Sequence, residues 1–319
     1  MGFSKHTIAS DALRGNPLGD PSERDLWVWV PDEEGRRYPA VYVLHAHMRS
    51  AQSWFNVEPF ARSYPEEIAA LAPDAVVVLV DSWTSVGGSQ WIDSHGIGRY
   101  GTYLREEVVP FVDGRFPTIP DAAHRGLQGK SSGGYGALVT ALERPDLFSA
   151  AAAHAPDALF EVTNAHGFAA AARELCEHHG GSLAEFLRTF QGFHSQGDAL
   201  LNELAVCALA FSDGELPFDP ETAMLVPDVW DRWLAHDPAR LAARHPDAVR
   251  ALRGLWLDAG DADEYFLDLG ALALRRAFIA AGLPQDVLRF ELFSGGHRGL
   301  TWRYPLSLAF LVERLSITL

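Results

Sequence analysis

Gly126-Leu-Gln-Gly-Lys-Ser-Ser-Gly-Gly-Tyr-Gly136 is the stretch around which the rest of the chain is organised. Within it, Gly129-Lys130-Ser131-Ser132-Gly133 reads G-x-S-x-G. In that pattern a strand stops, one serine occupies a strained turn, and a helix begins at once. A Cβ two residues to either side of the serine would strike the neighbouring strand or helix, so glycine is required there. His124–Gln128 reads as the short strand that enters the turn. Tyr135–Arg144 reads as an amphipathic helix leaving it. The Ser132 N–H, at a helix start, then faces the space above Ser131 and is suited to hold a developing oxyanion. Gly129-Lys130-Ser131 also resembles the end of a phosphate-binding loop. That motif needs glycine at position 124, which is His124.

The 319 residues, 48% hydrophobic and 21% charged, are enough for a large core in a globular protein. A formal net charge of −16 argues against nucleic acid and anionic membranes as partners. The two cysteines, Cys176 and Cys207, read as reduced thiols. The first residues show no apolar secretory segment, and no run reaches the ~18 apolar residues of a membrane span. The expectation is a cytoplasmic protein. The sequence does not fix oligomeric state, and a homo-oligomer is compatible with it.

Residues 1–22 are polar and turn-rich. A strand is expected at Arg24–Pro31, a charged hairpin loop at Asp32–Pro39, and a buried strand at Ala40–His45. The loop from His45 to Trp54 follows. Its His47 backbone N–H is the candidate second oxyanion donor. The His45/His47 pair has no cysteine or carboxylate at ligand spacing, which argues against a metal. Ala75–Asp81 is apolar enough for the middle of a parallel sheet. The loop from Ser82 to His95 carries Trp83, Gln90 and Trp91, candidates for substrate contact together with Trp302. Tyr103–Val112 reads as an amphipathic helix.

After a strand of small residues at Phe148–His154, residues 156–246 show helix-like segments and no strand. Such a stretch far exceeds an ordinary connection of ~2–6 residues. It reads as a helical insertion forming a cap within a single domain spanning 1–319. Strands return at Leu252–Ala259 and Val287–Phe293, with helices at Leu267–Ala281 and Tyr304–Leu315. Alternating strands and helices imply a mostly parallel sheet flanked by helices, the α/β class.

Each late strand ends in a loop with a chemically useful residue. Asp263 lies in Gly260-Asp-Ala-Asp263, with Asp261 a competing acid. His297 lies in Gly295-Gly-His-Arg-Gly299. Serine, acid, histidine is the chain order of an α/β-hydrolase triad. Ser131 needs a base because its hydroxyl is a poor nucleophile at neutral pH. His297 would accept that proton, and Asp263 would fix the imidazole tautomer.

Taken together, Tyr38-Pro-Ala-Val-Tyr-Val-Leu-His45, Arg99–Val112, Pro117-Thr-Ile-Pro-Asp121, the elbow, the Gly260–Asp263 turn and Gly295-Gly-His297 with Trp302 resemble the putative-esterase family of α/β hydrolases. That family includes S-formylglutathione hydrolase (esterase D), feruloyl and enterochelin esterases, and mycolyltransferases. The resemblance implies the α/β-hydrolase fold. It also implies a serine esterase acting on a small-molecule ester or thioester through an acyl-enzyme, with no metal or organic cofactor. An acyltransferase using the same triad and a catalytically silent binding module are the alternatives. Ala46 replaces the family's usual glycine, and Lys130 precedes the serine where other residues are common.

Overall fold

The protein is described by a computed structural model covering residues 2–32, 35–57 and 59–316. Eight strands form one sheet: β1 (Phe3–Ala9), β2 (Glu23–Trp29), β3 (Ala40–Leu44), β4 (Val76–Val80), β5 (Arg125–Lys130), β6 (Ala150–His154), β7 (Gly254–Gly260) and β8 (Leu288–Phe293). Their spatial order is β1-β2-β4-β3-β5-β6-β7-β8. From β4 to β8 all neighbours run parallel, whereas β1 and β2 pair antiparallel at one edge.

The side-chain alternation of the strands divides the core between two faces. Val41, Val43, Val77 and Leu79 pack with Tyr64 and Ile68 of α1 (Tyr64–Leu71) on one side. Tyr42, Leu44, Val78 and Val80 pack on the other, against Leu138 and Leu142 of the helix after the elbow, α2 (Ser132–Glu143). Because both faces are covered, β3 and β4 are apolar at every position and fully buried. Each such side chain stabilises the fold by about 1.5–3 kcal/mol.

Two expectations are corrected. Phe3–Ala9 is a strand, not part of a turn-rich leader. As an edge strand it leaves most of its residues partly or fully exposed, so its sequence carries no apolar alternation. The Asp32–Pro39 loop does not close a hairpin, because β4 lies between β2 and β3. Residues 33 and 34 of that loop lie outside the described residues.

Between β6 and β7, no strand among the described residues joins the sheet. The stretch contains α3 (Phe168–His179), α4 (Leu183–Thr189), α5 (Gln196–Ser212), α6 (Pro227–Ala235), α7 (Pro238–Arg244) and α8 (Pro246–Ala251). The last two each open on a proline in the first turn, where its missing N–H costs nothing. Asp237, whose side chain accepts the Ala239 N–H, caps α7. The long helix α9 (Leu267–Ala280) follows β7, and α10 (Tyr304–Ser316) follows β8 and closes the sheet face over Leu308, Leu311 and Leu315.

Candidate active site

At the end of β5 the backbone turns sharply. Ser131 sits at φ +55°, ψ −127°, a conformation L residues rarely adopt, and α2 starts at Ser132. Hydrogen bonds hold the turn from both sides: Ser131 N–H donates to His154 O (2.9 Å), and Tyr135 N–H donates to Ser131 O (2.8 Å). The two glycines are steric requirements. A Cβ on Gly129 would lie 2.3 Å from Gly133 carbonyl atoms, and one on Gly133 would lie 2.3 Å from Leu44 O of β3. Only a bare backbone lets strand, turn and helix approach this closely. As the first residue of α2, Ser132 has no intrahelical acceptor for its N–H.

The acid and histidine loops are tied to each other. A Cβ on Gly260, the last residue of β7, would lie 2.2 Å from Gly295 O. Gly295 N–H donates to Asp261 Oδ1 (3.1 Å), and His297 N–H donates to Glu264 Oε2 (2.6 Å). Asp261 therefore links the loops, while Asp263 meets the imidazole, with its Oδ2 2.9 Å from His297 Nδ1. Its other oxygen accepts the N–H groups of Tyr265 (2.9 Å) and Leu267 (3.4 Å) at the head of α9. A carboxylate at Nδ1 keeps the proton there and leaves Nε2 as the open acceptor. Asp263 and His297 are both buried, and the Tyr265 ring lies 4.9 Å from the imidazole, edge to face.

Ser131 and His297 line one cleft of about 570 Å³. In the resting structure the Ser131 hydroxyl donates to Asp157 Oδ1 at 3.3 Å. No hydrogen bond joins it to His297 among the described residues. Asp157 had not been singled out from the sequence, although its position just after β6, at the same sheet edge as the other loops, is a usable signal. Burial pushes its pKa up to about 6, against the opposing pull of His297 and the Ser131 hydroxyl.

His47 also lines the cleft. Its ring is a cross-link: Nε2 pairs with Asn202 Oδ1 (2.9 Å), and Asn202 Nδ2 donates to Val86 O (2.8 Å). Burial drops its pKa to about 4, so the ring is neutral. The His45 ring faces elsewhere, with Nδ1 on Ala46 O and Nε2 accepting the Ser82 N–H (each 3.0 Å). No cluster of three potential metal ligands occurs among the described residues. Lys130 lines the cleft without an ion pair among those residues. Burial lowers its pKa to about 8, with Asp263 opposing and Arg49 reinforcing the shift.

Of the four residues expected to contact substrate, Gln90 lines the cleft. Trp91 does not. It is buried, packs on Gly136 where a Cβ would lie 2.5 Å away, and donates its Nε1–H to His45 O (3.1 Å). It thus supports the loop that carries His47. Trp83 lies under the Arg24 guanidinium, and exposed Trp302 packs on Phe293 and Arg303; neither lines the cleft.

Among the described residues no helix is long and apolar enough to cross a membrane. The family model "Putative esterase" matches residues 21–309. A ferulic acid esterase is similar in structure, at TM-score 0.62 and 17% identity over 98% of both chains. An S-formylglutathione hydrolase from Agrobacterium tumefaciens has TM-score 0.61 and 17% identity over 98% of this chain and 95% of its own. The fluorophosphonate-binding serine hydrolase F from Staphylococcus aureus has TM-score 0.61 and 16% identity over 97% and 98%. No curated protein matches the sequence. The chain belongs to the putative esterase family and is a carboxylic ester hydrolase of the α/β-hydrolase fold.

Proposed function

We propose that the protein cleaves a carboxylic ester or thioester through an acyl-enzyme on Ser131. The observation that carries this reading is the strained Ser131 turn opening onto a cleft that also holds the His297–Asp263 pair. Before attack, the Ser131 hydroxyl exchanges Asp157 for His297 Nε2 by rotating about its Cα–Cβ bond. Oγ then adds to the substrate carbonyl carbon while its proton passes to Nε2. Asp263 stabilises the imidazolium that forms. The oxyanion is held by the Ser132 and His47 N–H groups, each worth about 3 kcal/mol of transition-state stabilisation. Collapse expels the alcohol or thiol, which takes the proton from His297. Water then repeats the sequence on the acyl-serine and releases the acid.

The helical stretch between β6 and β7 acts as the cap. This is supported by Ala199, Glu203 and Val206, which face the cleft from successive turns of α5. Two unpaired cysteines fit a cytoplasmic setting. Hydrolysis of p-nitrophenyl acetate and butanoate by wild type and Ser131→Ala tests the mechanism. Loss of at least about 10³-fold in kcat is expected. Activity that survives the substitution refutes the proposal.

A further inference from the structure

Beneath α5, beside the nucleophile, the cleft wall is built from hydrogen-bond acceptors with too few donors. Gln90 is only 5% exposed and held in a left-handed backbone conformation at φ +53°. Its Nε2–H₂ donates to Cys207 Sγ (3.5 Å), whereas its Oε1 is buried without a partner. Glu203, one turn before Cys207 on α5, lines the same cleft and makes no hydrogen bond or ion pair among the described residues. Asp157 accepts the Ser131 hydroxyl (3.3 Å), and the Gln90 amide also lowers its pKa, but no cation forms an ion pair with it among the described residues. Nearby donors are committed elsewhere: Thr163 Oγ1 donates to Ala158 O (3.0 Å), and Asn164 Nδ2 to Cys207 Sγ (3.8 Å).

An unpartnered buried acceptor such as Gln90 Oε1 costs stability, about 1–3 kcal/mol, and Asp157 and Glu203 stand beside it half-buried. Burial pushes the Glu203 carboxyl up to about pKa 7, and Asp157 raises it further. Lys130 and His297 act on Asp157, but no cation acts on Glu203. Arg49, Arg62, Lys130 and Arg298 line the cleft, yet none of them forms an ion pair among the described residues. A group that satisfies such a wall must bring several N–H donors and a positive charge. An alkylammonium brings three donors and one charge in a compact head.

We propose that Gln90, Asp157 and Glu203 form an ammonium-binding subsite, so that the substrate is an ester bearing a protonated amine. This rests on the esterase reading above and narrows its substrate class.

The test compares near-isosteric pairs. One pair places the amine in the acyl group: p-nitrophenyl 3-aminopropanoate against p-nitrophenyl butanoate. The other places it in the alcohol: 3-aminopropyl butanoate against butyl butanoate. Wild type is expected to favour the amine-bearing member of at least one pair by 10-fold or more in kcat/KM. Glu203→Gln should cut that ratio at least fivefold. No preference in either pair, or a preference that Glu203→Gln leaves intact, overturns the subsite.

A second readout separates this from the esterase reading. Thermal shifts with n-butylammonium and with 1-butanol report binding without turnover, in wild type and in Ser131→Ala. If no ester is cleaved but butylammonium alone raises Tm, the esterase reading fails and the subsite stands. If esters are cleaved without preference and butylammonium acts no differently from butanol, the subsite fails and the esterase reading stands.

Discussion

Among the described residues two Ser–His–Asp groupings stand out, and they differ in hydrogen bonding and in exposure. One is closed. Ser307 Oγ meets His154 Nε2 at 2.8 Å, and His154 Nδ1 meets Asp258 Oδ1 at 2.7 Å, with all three side chains fully buried. Asp258 also accepts Trp256 Nε1–H (2.7 Å) and Arg303 Nε–H (2.5 Å), and Gln128 donates to Ser307 (2.6 Å). The other set is open. Ser131 and His297 line a cleft, Asp263 lies buried behind the imidazole, and the serine sits on a strained turn with its hydroxyl on Asp157. Hydrogen bonding by itself would select the closed set. Complete satisfaction marks a structural network that pins β6, β7 and α10 together. An accessible serine on a strained turn at a helix N-terminus is what supports Ser131 as the proposed nucleophile.

The carboxylates show the same contrast. Burial alone pushes the Asp258 pKa up, but His154, Trp256 and Arg303 together bring it below the usual carboxylate value. Asp157 has weaker partners in His297, Ser131 and Gln90, Glu203 has none among the described residues, and burial leaves them at about 6 and 7. The interior network consumes its own charges, while the cleft leaves its charges available to a ligand.

The sharpest way to break the contrast is to truncate both serines. Ser131→Ala should lower kcat on p-nitrophenyl esters by about 10³-fold or more. Ser307→Ala should change kcat by less than about threefold and mainly lower the urea midpoint. Comparable losses of kcat would erase the distinction between the two sets. The aspartates should separate in the same direction. Asp263→Asn is expected to reduce kcat by about 10²–10⁴-fold through a misplaced tautomer, with a small change in Tm. Asp258→Asn leaves buried Arg303 with Glu291 as its remaining carboxylate and should cost up to about 3–5 kcal/mol of unfolding free energy, read by urea denaturation.

A smaller effect isolates Glu203. Its carboxyl titrates near 7 in the folded protein against an ordinary value of 4.5, so the folded state retains a proton that the unfolded chain has released. Stability contributed by this group therefore falls as pH rises through that window. Glu203→Gln removes the effect. The stability difference between variant and wild type should grow by about 1–3 kcal/mol between pH 4.5 and 7.5. A difference that stays flat with pH would show the cleft carboxylate to be compensated after all.

What the sequence disclosed follows from which features are local. The elbow was legible because its glycines answer to contacts within a few residues and with one neighbouring strand. His297 and Asp263 were legible because each follows a strand, in the chain order of a known constellation. Asp263 is the expected acid although Asp261 lies in the same short turn; in the structure Asp263 meets the ring, and Asp261 binds the Gly295 N–H. Asp157 is marked only by its place just after a strand, outside any motif, and Glu203 sits in an amphipathic helix where a charge ordinarily means solvent. The closed network was invisible because its bonds join residues 104 and 153 positions apart. In sequence its members read only as a strand of small residues and an aspartate within a strand. The edge strand β1 was missed because it lacks a buried face to pattern it.

The most direct measurement is covalent labelling with a fluorophosphonate, followed by peptide mapping. The account predicts a single phosphonyl adduct, on Ser131, absent from Ser131→Ala and unaffected by Ser307→Ala. An adduct on another serine, or a folded wild-type protein that takes up no label, would contradict it.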